Sequence, residues 1–182
     1  MKVAVFGGSF NPVHAAHQLV ALYVRETQDV DEVWFVPTYA HPFGKHLEAF
    51  EHRVAMCQLA ADGVGAVVSR AEEELAQRPG FVSSRTLDLV EHIAAQGHQP
   101  RLVIGTDILE ETSKWHRWDE VARVAPPIVV GRGGHPHAGV MIDMPELSST
   151  RIRELLAQDD AAVADLLPRA VLRYIRERRL YR

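Results

Sequence analysis

Residues 7 to 17 read Gly-Gly-Ser-Phe-Asn-Pro-Val-His-Ala-Ala-His and follow directly on the apolar run Val3-Ala4-Val5-Phe6. That order predicts a buried strand emptying into a glycine turn, with two imidazoles at the mouth of the next helix. Glycine lets backbone approach a ligand closely. A helix start offers unpaired N–H groups and partial positive charge, both suited to phosphate. His14 and His17 are three apart, so they share one helix face and can donate to phosphoryl oxygens. The expected chemistry is phosphate handling; the competing use of these residues is a tight turn carrying two surface histidines. Neither G-x-G-x-x-G nor G-x-x-x-x-G-K-[ST] is present. No further ligands stand at a metal-binding spacing, so no protein metal site is expected.

A second cluster is Leu147-Ser148-Ser149-Thr150-Arg151-Ile152-Arg153, three hydroxyls ahead of an apolar-periodic run. It reads either as a helix N-cap or as a second anion cradle completed by Arg153. Lys45, after the second strand, and Arg53, at the start of the next helix, could supply charge to a triphosphate. In Gly105-Thr106-Asp107, the carboxylate closes a strand where it could accept from a ribose hydroxyl or cap a helix. Trp115 and Trp118 flank His116; such a pair is core, or offers one face to a flat heteroaromatic ring. His135 and His137 in a glycine loop read as solvated. The arginines between Arg169 and Arg182 read as favourable charge at a helix end.

The elements that must position these groups are short. Strands are expected at Val3–Phe6, Val33–Val36, Ala66–Val68, Leu102–Gly105, Ile128–Gly131 and Val140–Ile142. Helical patterns lie between them: around Leu19–Val24, Phe50–Ala61 and Thr86–Ala95, from Leu147 onward, and after Pro168. Alternation of this kind implies crossover units and a mainly parallel sheet with helices on both faces, a Rossmann-like α/β fold in one domain over 1–182. Ligands in such folds sit beyond the carboxyl ends of the strands. The glycine loop, Pro37–Lys45, Gly105–Asp107 and Arg132–Gly134 all fall there.

The chain has 182 residues, 47% apolar and 24% charged, with a formal net charge of −4. That charge argues against bulk nucleic-acid binding. One cysteine, Cys57, excludes an internal disulfide and suits a reducing compartment. No apolar stretch approaches a membrane span, and the amino terminus lacks a secretory core. A cytoplasmic protein is expected.

Taken together these motifs resemble the nucleotidyltransferase superfamily, and most closely the nicotinate-nucleotide adenylyltransferase family. Its G-G-[ST]-F-[DN]-P-x-H-x-x-H opening is similar to Gly7–His17, and its I-S-S-T-x-I-R signature to Leu147–Arg153. Gly105, Asp107, Trp115 and Trp118 resemble its G-x-D and tryptophan segments, and Leu166 to Tyr181 its closing pattern. The resemblance implies transfer of AMP from ATP to nicotinate mononucleotide, with Mg²⁺ carried on the phosphates. It places His14 and His17 at the α-phosphorus, with Gly7, Gly8, Ser9 and Phe10 lining ATP. Ser148, Ser149, Thr150 and Arg153 would hold the β- and γ-phosphates, Lys45 would assist, and Gly105 and Asp107 would meet the ribose. Ser83, Thr86, Trp115 and Arg132 fall on the acceptor side, Trp115 stacking on the pyridine ring.

Three departures stand out. Ala16 replaces a glycine, and Lys45 sits in a different frame from the family's P-P-H-K. Phe81–Thr86 lacks the tyrosine of S-Y-T, with Ser83 as the threonine's counterpart. Two other acceptors stay open on the same chemistry, nicotinamide mononucleotide and phosphopantetheine. So does a non-catalytic module that binds adenine nucleotides. The expected partners are small molecules, with neither nucleic acid nor membrane, and with room for a homo-oligomer.

Overall fold

The computed structural model describes all residues except 42, 43, 45, 110, 113, 114, 116, 133–139 and 141. Six strands form one sheet: β1 (Lys2–Gly8), β2 (Glu32–Pro37), β3 (Val67–Val68), β4 (Gln99–Gly105), β5 (Ile128–Arg132) and β6 (Asp143–Met144). Their order is β3-β2-β1-β4-β5-β6 and every neighbouring pair is parallel. The chain winds outward from β1 to β3, then returns to place β4 on the other side of β1. The crevice beyond the carboxyl ends of β1 and β4 is therefore the point where the winding reverses, the place where such sheets bind ligands.

Among the described residues the strands are accompanied by helices α1 (Ala15–Thr27), α2 (Phe50–Asp62), α3 (Ala71–Ala76), α4 (Thr86–Ala95), α5 (Thr106–Leu109), α6 (Trp118–Val124), α7 (Ser149–Ala157) and α8 (Arg169–Arg178), plus a 3₁₀ turn at Ala161–Asp165. Alternation along the strands divides the core between two faces. Ala4, Val33, Phe35, Val103 and Val130 pack with α1, α2, α7 and α8. Val3, Val5 and Val36 point the other way, onto α3 and α4, and Leu102 and Ile104 onto α4 and α6. A fully buried aliphatic side chain contributes about 1.5–3 kcal/mol, so burial on both faces explains the continuous Val/Ile runs. In α1, Ala16, Val20, Ala21 and Val24 lie on one buried stripe. Among the described residues no helix is long and apolar enough to cross a membrane.

The expected architecture holds, with local corrections. The short helices α3 and α6 and the 3₁₀ turn had no sequence expectation, because five to seven residues are too few to display a helical period. The sixth strand is Asp143–Met144, not Val140–Ile142. It pairs Asp143 with Gly131 and Met144 with Arg132. A Cβ on Gly131 would overlap the carbonyl of Ile142, so the glycine sets where the edge strand can dock. Helix α7 begins at Ser149 with Ser148 as its N-cap, two residues after Leu147.

Candidate active site

The predicted glycine turn is not where the chain bends. Gly7 and Gly8 belong to β1, paired with Val36 and Pro37, and the left-handed residue is Phe10, at φ 45° and 2% exposed. A Cβ added to Gly7 would meet nothing within 4 Å, leaving open space beside the strand end, whereas one on Gly8 would touch the Phe10 ring at 3.1 Å. The Phe10 conformation persists because the loop around it is held at every step. Arg53 Nη1 donates to the carbonyl of Ser9 at 3.0 Å. Arg153 Nη1 donates to that of Asn11 at 2.8 Å, and Ser149 Oγ to that of Pro12 at 2.9 Å. Asn11 Oδ1 accepts from the Glu48 N–H at 3.0 Å and from the Tyr181 hydroxyl at 2.9 Å. The peptide bond between Asn11 and Pro12 is cis.

Arg53 is thus not a phosphate ligand. It is 1% exposed and spends Nε on the carbonyl of Glu48 at 2.9 Å, and its guanidinium packs on the Phe50 ring at 5.4 Å. A buried cation donating to two loop carbonyls organises the loop from beneath. Asn11, Glu48 and Tyr181 support this loop in ways the sequence did not assign. Asn11 lay within the Gly7–His17 opening and Tyr181 within the closing pattern, but neither pattern carried a hint that the two side chains meet, and nothing marked Glu48.

His14 is the N-cap of α1 and His17 its third residue. Their rings stack at 3.7 Å with an interplanar angle of 27°. The His14 N–H donates to His17 Nδ1 at 3.0 Å. An accepting Nδ1 carries no proton, so neutral His17 must be protonated on Nε2, which becomes the donor. His14 is 2% exposed, which rules out surface histidines. Burial first, then the Arg132 charge, push its pKa down to about 4. His17 is held well below 6.5 by burial, then by His14 and Arg132. Both imidazoles are neutral hydrogen-bond donors at pH 7. His14 Nδ1 is buried with no partner among the described residues.

The two helix starts differ. At α1, the Ala15 N–H donates to the carbonyl of Leu166 at 3.0 Å and the His17 N–H to that of His14 at 3.0 Å, so two of the first three amides are already engaged. At α7, Ser148 makes no side-chain cap, and the N–H groups of Ser149, Thr150 and Arg151 have no partner among the described residues. The hydroxyls do not cap either: Ser149 holds Pro12, and Thr150 Oγ1 accepts from Arg153 Nη2 at 3.2 Å. Three free amides beside a guanidinium make an anion cradle, and Ser149 and Arg153 tie that cradle to the loop that leads into His14.

On the β4 and β5 side, Thr106 Oγ1 accepts from the Arg132 N–H at 2.9 Å. Asp107 lies in the first turn of α5 and is not its N-cap. Its Oδ2 is 3.8 Å from Arg132 Nε, and its Oδ1 is buried with no partner among the described residues. A Cβ on Gly105 would overlap that oxygen, so only glycine leaves room for it. Arg132 Nη2 reaches the Leu147 carbonyl at 3.2 Å, just ahead of α7. One arginine thereby connects Asp107, the α7 approach and the field around both histidines.

Trp115 and Trp118 are half-buried, edge to face at 5.7 Å, and pack against Leu87, Val90 and Ile104. Ser83 and Thr86 lie at the entrance to α4, half-buried. Lys45, His116, His135 and His137 lie outside the described residues.

A doubly wound parallel sheet with two neutral imidazoles, a helix start and a half-buried carboxylate gathered at its switch point defines a Rossmann-like nucleotidyltransferase fold. The profile of the cytidylyltransferase-like family matches residues 5–155. A protein of Anaeromyxobacter sp. (strain K), described as a probable nicotinate-nucleotide adenylyltransferase, is 48% identical over 100% of this chain and 97% of its own. One of the same description from Myxococcus xanthus (strain DK1622) is 44% identical over 100% and 95%. The Plasmodium falciparum nicotinic acid mononucleotide adenylyltransferase solved with NaAD shares the fold, with a TM-score of 0.80 at 18% identity over 99% of this chain and 97% of that one. The chain belongs to the cytidylyltransferase-like family and, within it, to the nicotinate-nucleotide adenylyltransferases.

Proposed function

We propose that this protein transfers AMP from ATP to nicotinate mononucleotide, giving the deamido dinucleotide and pyrophosphate. The observation that carries this reading is the direct tie between the α7 start and the loop before His14, through Arg153 to Asn11 and Ser149 to Pro12. Two anion-binding elements held together fit one polyphosphate better than two separate ligands.

An acceptor phosphate oxygen attacks the α-phosphorus, the bond from that phosphorus to the bridging oxygen breaks, and pyrophosphate leaves. The nucleophile is already ionised at neutral pH, so no protein base or covalent intermediate is required. His14 and His17 donate to oxygens at the α-phosphorus. The α7 amides, Thr150 and Arg153 hold the departing phosphates, and Ser148 lies beside them. Asp107 accepts from the ATP ribose, Arg132 screens the acceptor phosphate, and Trp115 offers a face to the pyridine ring. Among the described residues no group of three His, Cys, Asp or Glu could hold a metal ion. Mg²⁺ would enter on ATP, as the resemblance implies, and would neutralise charge on the phosphates. The low net charge, the single cysteine and the lack of a spanning helix among the described residues support a cytoplasmic enzyme of small substrates.

Purified protein incubated with ATP, Mg²⁺ and nicotinate mononucleotide, nicotinamide mononucleotide or phosphopantetheine separates the readings by pyrophosphate release. Turnover with nicotinate mononucleotide is expected. ATP binding without turnover on any of the three acceptors would leave a regulatory nucleotide-binding module instead.

A further inference from the structure

Glu72 lies in the first turn of α3, 7% exposed, and belongs to none of the residues assigned above. Its Oε2 accepts from the Tyr39 N–H at 2.8 Å and from the Ser84 hydroxyl. Ser84 Oγ in turn accepts from the Ala40 N–H at 3.2 Å, and the Ser84 N–H donates to the Ala40 carbonyl at 3.0 Å. A single buried carboxylate oxygen thus fastens the segment that leaves β2 to the segment that enters α4. Both ends of this clamp abut the candidate site. The Thr38 N–H donates to the Gly8 carbonyl at 2.9 Å, one residue before Tyr39. Ser84 is two residues ahead of Thr86, the first residue of α4. Burial disfavours the charged form of Glu72 and pushes its pKa up. A carboxylate in that place is stable only while its donors stay in position.

We propose that Glu72 is a positioning residue for the acceptor: through Tyr39 and Ser84 it holds residues 39–40 and 83–84 as one preformed wall against which the mononucleotide docks. This rests on the reading that the segments after β2 and before α4 form the acceptor end of the site. With the clamp intact, residues 39–40 and 83–84 need no rearrangement on binding. Without it, two loops must be captured in the right arrangement, and apparent affinity falls by the fraction of time they are in it.

Steady-state kinetics of Glu72→Ala, Glu72→Gln and Ser84→Ala with Mg²⁺–ATP and nicotinate mononucleotide test this. Glu72→Ala is expected to raise the KM for the mononucleotide about tenfold, the effect of loops correctly placed about a tenth of the time. The KM for ATP should stay within about twofold, because the phosphate cradle is built elsewhere. Glu72→Gln retains an acceptor oxygen and should restore most of the affinity. Ser84→Ala cuts one arm of the clamp and should move the same KM less; it decides the matter if Glu72→Ala does not fold. An unchanged mononucleotide KM, or both KM values rising together, overturns the proposal. If the wild-type protein does not use the mononucleotide at all, the functional reading fails separately. Amide exchange then decides on the clamp alone: faster exchange at Tyr39 and Ala40 in Glu72→Ala upholds it, and unchanged exchange overturns it.

Discussion

Arg153 donates from Nη1 to the carbonyl oxygen of Asn11 across 2.8 Å, joining residues 142 apart in sequence. The same guanidinium reaches Thr150 Oγ1 at 3.2 Å, so one fork spans the glycine loop and the α7 start. Arg153→Ala removes the fork and, on the proposed reading, a charge beside the departing phosphates. It should lower kcat/KM for ATP by about 10²-fold. Arg153→Lys should recover little, since one ammonium cannot reproduce a planar fork that serves two oxygens and a phosphate. Wild-type kinetics in the lysine variant would remove the fork from the account.

His17 accepts from the His14 N–H at Nδ1 and, on the proposed reading, donates to substrate from Nε2. Asparagine offers an oxygen for the first and nothing at the position of the second. His17→Asn should melt near the wild-type temperature yet lose about 10²-fold or more in turnover. His17→Ala should also fold and lose a similar factor. Near-normal turnover in either folded variant would overturn the assigned role.

Acid should destabilise the ligand-free protein through His14. Its pKa is about 4 when folded against 6.5 ordinarily, so below pH 6.5 the unfolded chain binds a proton that the native state refuses. The contribution is intact above pH 6.5 and is lost as pH falls toward 4. Between pH 7.5 and 5 it amounts to about 2 kcal/mol, and His17 acts in the same direction. Urea unfolding across that range should show a shallower slope for His14→Asn than for wild type. Equal slopes would mean that His14 is not held neutral.

Gly105→Ala should displace the Asp107 carboxylate and leave the sheet intact, because the added Cβ collides with a side-chain oxygen and not with backbone. The expected result is an unchanged fold and a KM for ATP raised about tenfold, the effect of one lost charge-assisted hydrogen bond. A KM equal to wild type would separate Asp107 from ATP binding.

Much of this molecule was legible along the chain. Short Val/Ile runs alternating with helical patterns specify a parallel sheet covered on both faces, because period and burial are local properties of the residues. The strand-to-helix glycine segment and the hydroxyls before Ile152 likewise marked the loop and the helix start that Arg153 and Ser149 join. Elements too short for a period, such as α3 and α6, were not visible. Nor was the docking of β6, which depends on Gly131 in another strand.

Sequence by itself determined which residues could hold phosphate and on which strand ends they fall. Tertiary structure decided how each one is used. It buried Arg53 beneath the loop, turned Ser149 onto Pro12, engaged the Ala15 and His17 amides of α1 while leaving the first amides of α7 without a partner among the described residues, and brought Glu72 between two loops. A side chain's type limits what it can donate or accept. Which partner it meets depends on chain segments far away in sequence, and folding alone brings those within 3 Å.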